Sequence, residues 1–149
     1  MSESKVFKGR VIAKGNFKGE AVVSHEGFNT LASFQKSALL NKKNVIVSDQ
    51  NNKDLYGKDI TNKILCLPIT IGSTTGGLVI QTVCNMKINP RVFLFSMPID
   101  SLAASGIVLA KVWQNSDVIC IDNLGEEFLN TVKTGDTLEV KEDGTVTIL

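Results

Sequence analysis

The sequence predicts an α/β fold with a parallel-strand core flanked by β-hairpins, and three observations carry that expectation. Residues 64–71 are an apolar run of strand length; Gly72-Ser73-Thr74-Thr75-Gly76-Gly77 then makes a turn, and Leu78 to Cys84 continue at helical spacing. Two more compact apolar runs, 91–96 and 118–121, follow with a periodic segment between them. The middle of the chain therefore alternates strand, helix, strand, helix, strand, as a parallel unit does. At both ends the character changes, and short β-rich runs are separated only by turn residues. With 149 residues the chain fits a single domain, 1–149, and a domain of that size buries roughly 68–70% of its unfolded surface.

Residues 7–14 and 19–24 read as two strands joined by a turn at Gly15-Asn16, a hairpin that opens the domain. Residues 26–35 mix glycine, amides, hydroxyls, Phe28 and Phe34 with no clear period of 2 or 3.6, and read as a structured loop or short helix. Residues 36–44 are a weak element, Val45-Ile46-Val47-Ser48 a short strand, 49–53 a polar turn, and 55–60, which alternate poorly, a loop. After the central helix, Asn89-Pro90 breaks the pattern before the strand at 91–96. Asp100 or Ser101 caps a helix over 102–113 whose interior is small and apolar. Gly106, about 1 kcal/mol less favourable than alanine there, marks the close approach of a neighbour. A short amphipathic helix at 126–132 precedes a hairpin of 137–140 with 145–148 around Asp143-Gly144.

Sixteen basic and fifteen acidic side chains leave a net charge of +1, and the longest basic cluster is the dipeptide Lys42-Lys43, so a nucleic-acid footprint is not expected. The apolar runs fall short of the roughly 20 residues that cross a bilayer, and residues 1–5 open no signal-peptide core, which points to the cytoplasm and away from membranes. Cys66, Cys84 and Cys120 are odd in number, widely spaced and each set in an apolar segment, as reduced core thiols are. With no C-x-x-C pair and His25 the only histidine, no metal site of the chain's own is expected. His25 and Glu26 read as a surface turn at a strand end.

The glycine-rich turn carries the chemistry. Ser73 stands just ahead of a periodic run, at the position of a helix N-cap. The first N–H groups of a helix lack intrahelical partners, and the aligned peptide dipoles place partial positive charge there. A carboxylate or phosphate is accommodated, and glycines let it come close. The turn is not the phosphate loop of the nucleotide hydrolases, which requires a lysine directly after its last glycine, where Leu78 stands. An ordinary capped turn accounts for the same residues without a ligand. Asn29, Thr30 and Ser33 are the candidates of the preceding loop, since amides and hydroxyls suit a polar ligand; scaffolding pinned by Phe28 and Phe34 explains them equally well. Capping alone accounts for Asp100 and Ser101.

Together these pieces resemble the swivel domain of the aconitase superfamily, specifically the small subunit or domain of the aconitase X hydro-lyases. The resemblance spans most of the chain. It rests on Gly9-Arg10-Val11-Ile12, on Gly19-Glu20-Ala21-Val22-Val23-Ser24, on Tyr56-Gly57-Lys58-Asp59-Ile60 leading to Lys63-Ile64-Leu65-Cys66-Leu67-Pro68, and above all on Gly72-Ser73-Thr74-Thr75-Gly76, in that order and spacing. The family's glycine loop usually reads Gly-Ser-Ser-Thr-Gly-Ser, so Gly72 and Ser73 match while Thr74 and Gly77 replace serines. Where the family's early loop carries a Phe-Trp-Gly-Gly-like stretch, this chain has Phe28-Asn29-Thr30-Leu31-Ala32-Ser33.

The resemblance implies a swivelling β/β/α domain that is the small subunit of a heteromeric dehydratase, inactive without its large catalytic subunit. It makes Ser73 the proton-abstracting base. Gly72, Thr74, Thr75 and Gly76 then hold the substrate, and Asn29, Thr30 and Ser33 lie beside it. The large subunit is expected to hold iron or an iron–sulfur cluster and most contacts to a small hydroxy-acid substrate. Family activities include dehydration of cis-3-hydroxy-L-proline, the foremost expectation, and of phosphomevalonate. Two other readings stand beside it. One is a non-catalytic swivelling module whose loop docks a carboxylate or phosphate through backbone N–H groups and has no need of the Ser73 hydroxyl. The other, a monomeric enzyme with its own acid and base, is weakened by the shortage of convergent titratable groups in the loops.

Overall fold

The structure is a computed structural model that describes residues 5–40, 43–71 and 76–149. In chain order it contains β1 (Lys5–Lys8), β2 (Arg10–Ala13), β3 (Phe17–Val23), β4 (Phe28–Asn29), α1 (Thr30–Leu39), β5 (Ile64–Leu67), β6 (Thr70–Ile71) and α2 (Gly76–Asn85), followed by β7 (Val92–Phe95), α3 (Ser101–Trp113), β8 (Ile119–Asp122), α4 (Glu126–Thr131), β9 (Thr137–Val140) and β10 (Thr145–Ile148). Among the described residues, eight strands make one mixed sheet in the order β1-β10-β9-β3-β5-β7-β8-β2. The expected parallel unit is there: β5, β7 and β8 are parallel neighbours, and β3 joins them on the other side of β5.

All four residues of β5, β7 and β8 are buried, because the sheet is covered on both faces. One face, with Leu65, Leu67, Phe93, Phe95 and Cys120, meets the helices through Phe34, Ile80, Val83 and Ile107. The other, with Ile64, Cys66, Val92, Leu94 and Ile121, fills the inside of the curled sheet with Leu138, Val140, Val146 and the α4 residues Phe128 and Leu129. Successive parallel strands are added always in the same direction, and right-handed crossovers then place α1, α2 and α3 on the same face. The result is a β/β/α layering.

The hairpin expected at the N-terminus is not formed. Both sides of β3 are occupied, by β9 antiparallel and β5 parallel, so no ladder is left for residues 7–14. That stretch divides at Gly9 into β1, which pairs with β10, and β2, which pairs with β8. The sheet's two edges are thus consecutive in sequence, and the sheet curls until they meet at a seam. The Gly9 N–H donates to the Gly144 carbonyl at 3.1 Å. A Cβ on Gly9 would collide with the Asp122 backbone oxygen and stand 2.6 Å from Cγ2 of Ile121, while one on Gly144, at φ +94°, would lie 2.5 Å from the Gly9 oxygen. Arg10 closes the seam, donating from Nε (2.9 Å) and Nη2 (2.6 Å) to the buried Asp122 carboxylate, which also accepts the Ile99 N–H at 2.7 Å.

Two further expectations change. Residues 45–48 are not a strand, although Val45 and Val47 are buried and Ile46 is exposed; their partners are the loop groups Gly57, Lys58, Ile60 and Thr61 on one side and Ser33 and Ser37 of α1 on the other, and among the described residues their ladder contact is the isolated bridge Ile46 to Asp59. Residues 30–39, left between loop, short helix and weak element, are the ten-residue helix α1. Its buried face is Thr30, Ser33, Phe34 and Ser37, spaced for a helix but mostly hydroxyl, which hides the apolar period. The C-terminal hairpin and the Asp100 cap are as expected.

Candidate functional site

Helices that follow parallel strands begin at the strands' carboxyl edge, so α1, α2 and α3 all point their N-termini there. The first turn of none of them contains an acidic residue, whereas α4 carries Glu126 and Glu127 in its own. Carboxylates at helix starts neutralise the local dipole, as the N-cap Asp100 does at α3, whereas α1 is capped by the neutral Asn29 and keeps its positive potential. The same edge carries a small ladder, β4 parallel to β6, pairing Phe28 with Thr70 and Asn29 with Ile71. It brings the start of α1 alongside the strand end that runs into the glycine-rich turn.

Of the residues predicted from sequence, Gly72, Ser73, Thr74 and Thr75 lie outside the described residues, and Gly76 is the first residue of α2. Asn29 is the N-cap of α1, its Oδ1 accepting from the Ala32 N–H at 3.0 Å. Thr30 and Ser33 are buried behind it, and the Ser33 Oγ has no hydrogen-bond partner among the described residues. Asn29 therefore stands next to Ile71 in the ladder, while Thr30 and Ser33 face the protein interior. His25 is exposed, and its backbone N–H donates to Oδ2 of Asp54 at 2.9 Å.

The sequence reading missed Thr70. Its hydroxyl donates to Oδ1 of Asp100, whose Oδ2 accepts the Ala103 N–H at 3.0 Å, so one carboxylate both caps α3 and holds the strand end ahead of Ile71. Thirty residues separate the two, and no local pattern announces the pair. Asp100→Ala is expected to cost about 1–2 kcal/mol in a urea unfolding experiment, and Asp100→Asn, which keeps an acceptor for the cap, to recover most of it.

In the parallel set the strand order never reverses, so the edge has no crevice of the kind that forms between divergent halves of a doubly wound sheet. A cavity of about 590 Å3 opens instead near the other end of α1, bordered by Lys36, Asn44, Ile46 and Tyr56, and none of the predicted site residues that are described lines it.

The sequence profile of the aconitase X swivel domain family matches residues 6–148. The chain belongs to that family. It is 30% identical to the phosphomevalonate dehydratase small subunit of Methanocaldococcus jannaschii over 143 residues, which is 95% of this chain and 96% of that one. It is 26% identical to the subunit of the same name from Methanosarcina mazei, over 90% of this chain and 83% of that one. Its fold superposes with a TM-score of 0.81 on a chain of Thermococcus kodakaraensis aconitase X solved in the holo form, at 27% identity and covering 97% of this chain and 98% of that one. The β/β/α layering is thus that of an aconitase X swivel domain, and the relatives named here are dehydratase small subunits.

No group of three or more His, Cys, Asp or Glu side chains comes together among the described residues. Cys66 packs inside the curled sheet, and Cys84 and Cys120 pack on the helix side. Burial pushes the Cys84 thiol up to about 11, a hydrogen bond with Ser116 pulling partly the other way. Burial first, and then the nearby carboxylates Asp136 and Asp122, raise Cys66 and Cys120 further. All three are expected to resist a thiol reagent at neutral pH until the protein is unfolded. Because the unfolded thiols ionise near 9.0 and the native ones do not, stability is expected to fall as pH rises past that value, by about 1.4 kcal/mol per thiol per pH unit.

Proposed function

We propose that this chain is the small subunit of an aconitase X type dehydratase, that it is inactive alone, and that Ser73 is the base that removes a proton from the substrate. The observation that supports the proposal is that α1, α2 and α3 all begin at the carboxyl edge of an aconitase X swivel domain, the edge at which the sequence runs from Ile71 through the glycine-rich turn into α2. Dehydration of a hydroxy acid takes the proton next to the carboxylate and expels hydroxide from the adjoining carbon, so negative charge grows on the carboxylate as the C–H bond breaks. Backbone N–H groups at a helix start, preorganised toward that charge, stabilise it as an oxyanion hole does. The same field favours the Ser73 alkoxide over the hydroxyl, which is otherwise far too weak a base at neutral pH.

The remaining parts of the site are assigned to the large subunit: the second wall, the group that receives the leaving hydroxide, and an iron or iron–sulfur centre. Asn29 joins the glycine-turn residues as a substrate contact, because it is the member of the preceding loop that reaches the same edge. Thr30 and Ser33, buried behind it, belong to its support. The names of the curated relatives favour phosphomevalonate as the first substrate to test, ahead of cis-3-hydroxy-L-proline. The experiment is reconstitution of the chain with the large subunit of the same source under anaerobic conditions. Dehydration of either compound by the pair, and by neither subunit alone, is the expected result. Ligand binding by the isolated chain with no turnover in the pair would replace the enzyme reading with that of a carboxylate- or phosphate-binding module.

A further inference from the structure

The outward face of α3 is apolar along its whole length. Ala103, Gly106, Ile107 and Ala110 face inward, toward α2 and the sheet. On the other side Leu102, Val108, Leu109, Val112 and Trp113 are open to solvent, Val112 over 70% and Trp113 over 81% of their surface, with Ser101 and Ser105 as the only polar interruptions. A helix that is apolar all round belongs inside a larger body. Its one charged residue, Lys111, does not relieve this, because Nζ is turned back onto the carbonyls of Lys14 (2.8 Å) and Val118 (3.2 Å). Absence of charge together with an aromatic anchor, rather than hydrophobicity alone, distinguishes the centre of an interface from ordinary surface.

The position of the stripe identifies what covers it. It begins at Leu102, two residues past the Asp100 that holds Thr70 beside the glycine turn. Ile71, at the end of β6, and Met97, two residues past β7, are further exposed apolar side chains at the carboxyl edge. A body that supplies the missing wall of the site must sit on that edge, and from there the stripe extends about 18 Å along the helix. Five large side chains exposed to this degree present on the order of 500 Å2, near the top of what a monomer leaves open and most of the roughly 800 Å2 that one partner brings to a standard interface.

We propose that the outward face of α3, from Leu102 to Trp113, is the docking surface for the large subunit, received in an apolar, charge-poor groove that borders the large subunit's side of the substrate pocket. The inference rests on the small-subunit reading above.

The test uses the full chain and the large subunit of the same source, with Val112→Lys/Trp113→Lys and, separately, Ser105→Arg on the same stripe. Circular dichroism and thermal unfolding of each variant alone establish that it folds like the parent. Both are expected to weaken association with the large subunit about 30-fold or more by titration, with turnover returning when the large subunit is in excess, since neither change touches the reacting groups. Parent and folded variants binding the large subunit equally well would overturn the docking surface and leave the small-subunit reading standing. A stripe that instead holds two copies of this chain together, the variants becoming monomeric without losing the large subunit, would overturn it as well. A parent chain that does not bind the large subunit at all would remove the small-subunit reading itself, and the docking surface with it.

Discussion

Ser73→Ala is expected to lower turnover of the reconstituted complex about a thousandfold while the subunits still assemble, the size of loss that follows removal of a positioned base. The argument is electrostatic. A serine hydroxyl accepts no proton at neutral pH unless its alkoxide is strongly favoured. The carboxyl edge of this fold contributes to such a bias through the starts of α1 and α2, whose first turns carry no acid. Asp100, the N-cap carboxylate of α3, accepts from the Thr70 hydroxyl and the Ala103 N–H and offsets part of that field. A loss in kcat with assembly and substrate affinity nearly unchanged supports the assignment, because a base acts in the transition state rather than in binding. Turnover within a few-fold of the parent would mean that backbone N–H groups alone serve the site, and the base would have to be sought on the large subunit.

The largest effect on stability is expected at the seam. Gly9→Val places branched carbon where the Asp122 backbone oxygen and the Ile121 side chain already stand, and neither is the far end of a flexible chain. Relief requires β1 and β2 to part from β10 or from β8, which opens the Gly9 to Gly144 hydrogen bond and strains the Arg10 to Asp122 pair. The expected cost is about 4 kcal/mol, a large share of the 5–15 kcal/mol that holds a domain together. A urea midpoint within a few tenths molar of the parent would show that the edges do not need to meet so closely.

The elements that were legible in the sequence are those whose burial is complete and local. Residues 64–67, 92–95 and 119–122 are covered on both faces and read as unbroken apolar runs, and the helices between them follow by topology. Asp143-Gly144 sets the C-terminal hairpin by turn chemistry, and Asp100 announces its cap. What was not legible depends on partners distant in sequence or on polar residues turned inward. Helix α1 buries hydroxyls where an apolar stripe is looked for, and residues 45–48 alternate like a strand while bonding to a loop and to α1. Residues 7–14 read as the hairpin partner of 19–24, the nearest strand in sequence, but that strand has no free side. At the candidate site the glycine turn and Asn29 drew attention through their residue types, whereas the Thr70 to Asp100 link exists only in three dimensions.

The seam also dictates when the molecule can finish folding. Arg10 finds its carboxylate 112 positions later, and β1 has no partner until β10 has been made. Loops of that length are closed at an entropic cost before any contact compensates it, so the parallel strands and their helices can assemble while both edges are still open. An unpaired strand edge is a template for another chain. During synthesis the first strands to emerge are therefore the last to be protected, and the hazard to this protein is concentrated in the interval before residues 145–148 are available to dock.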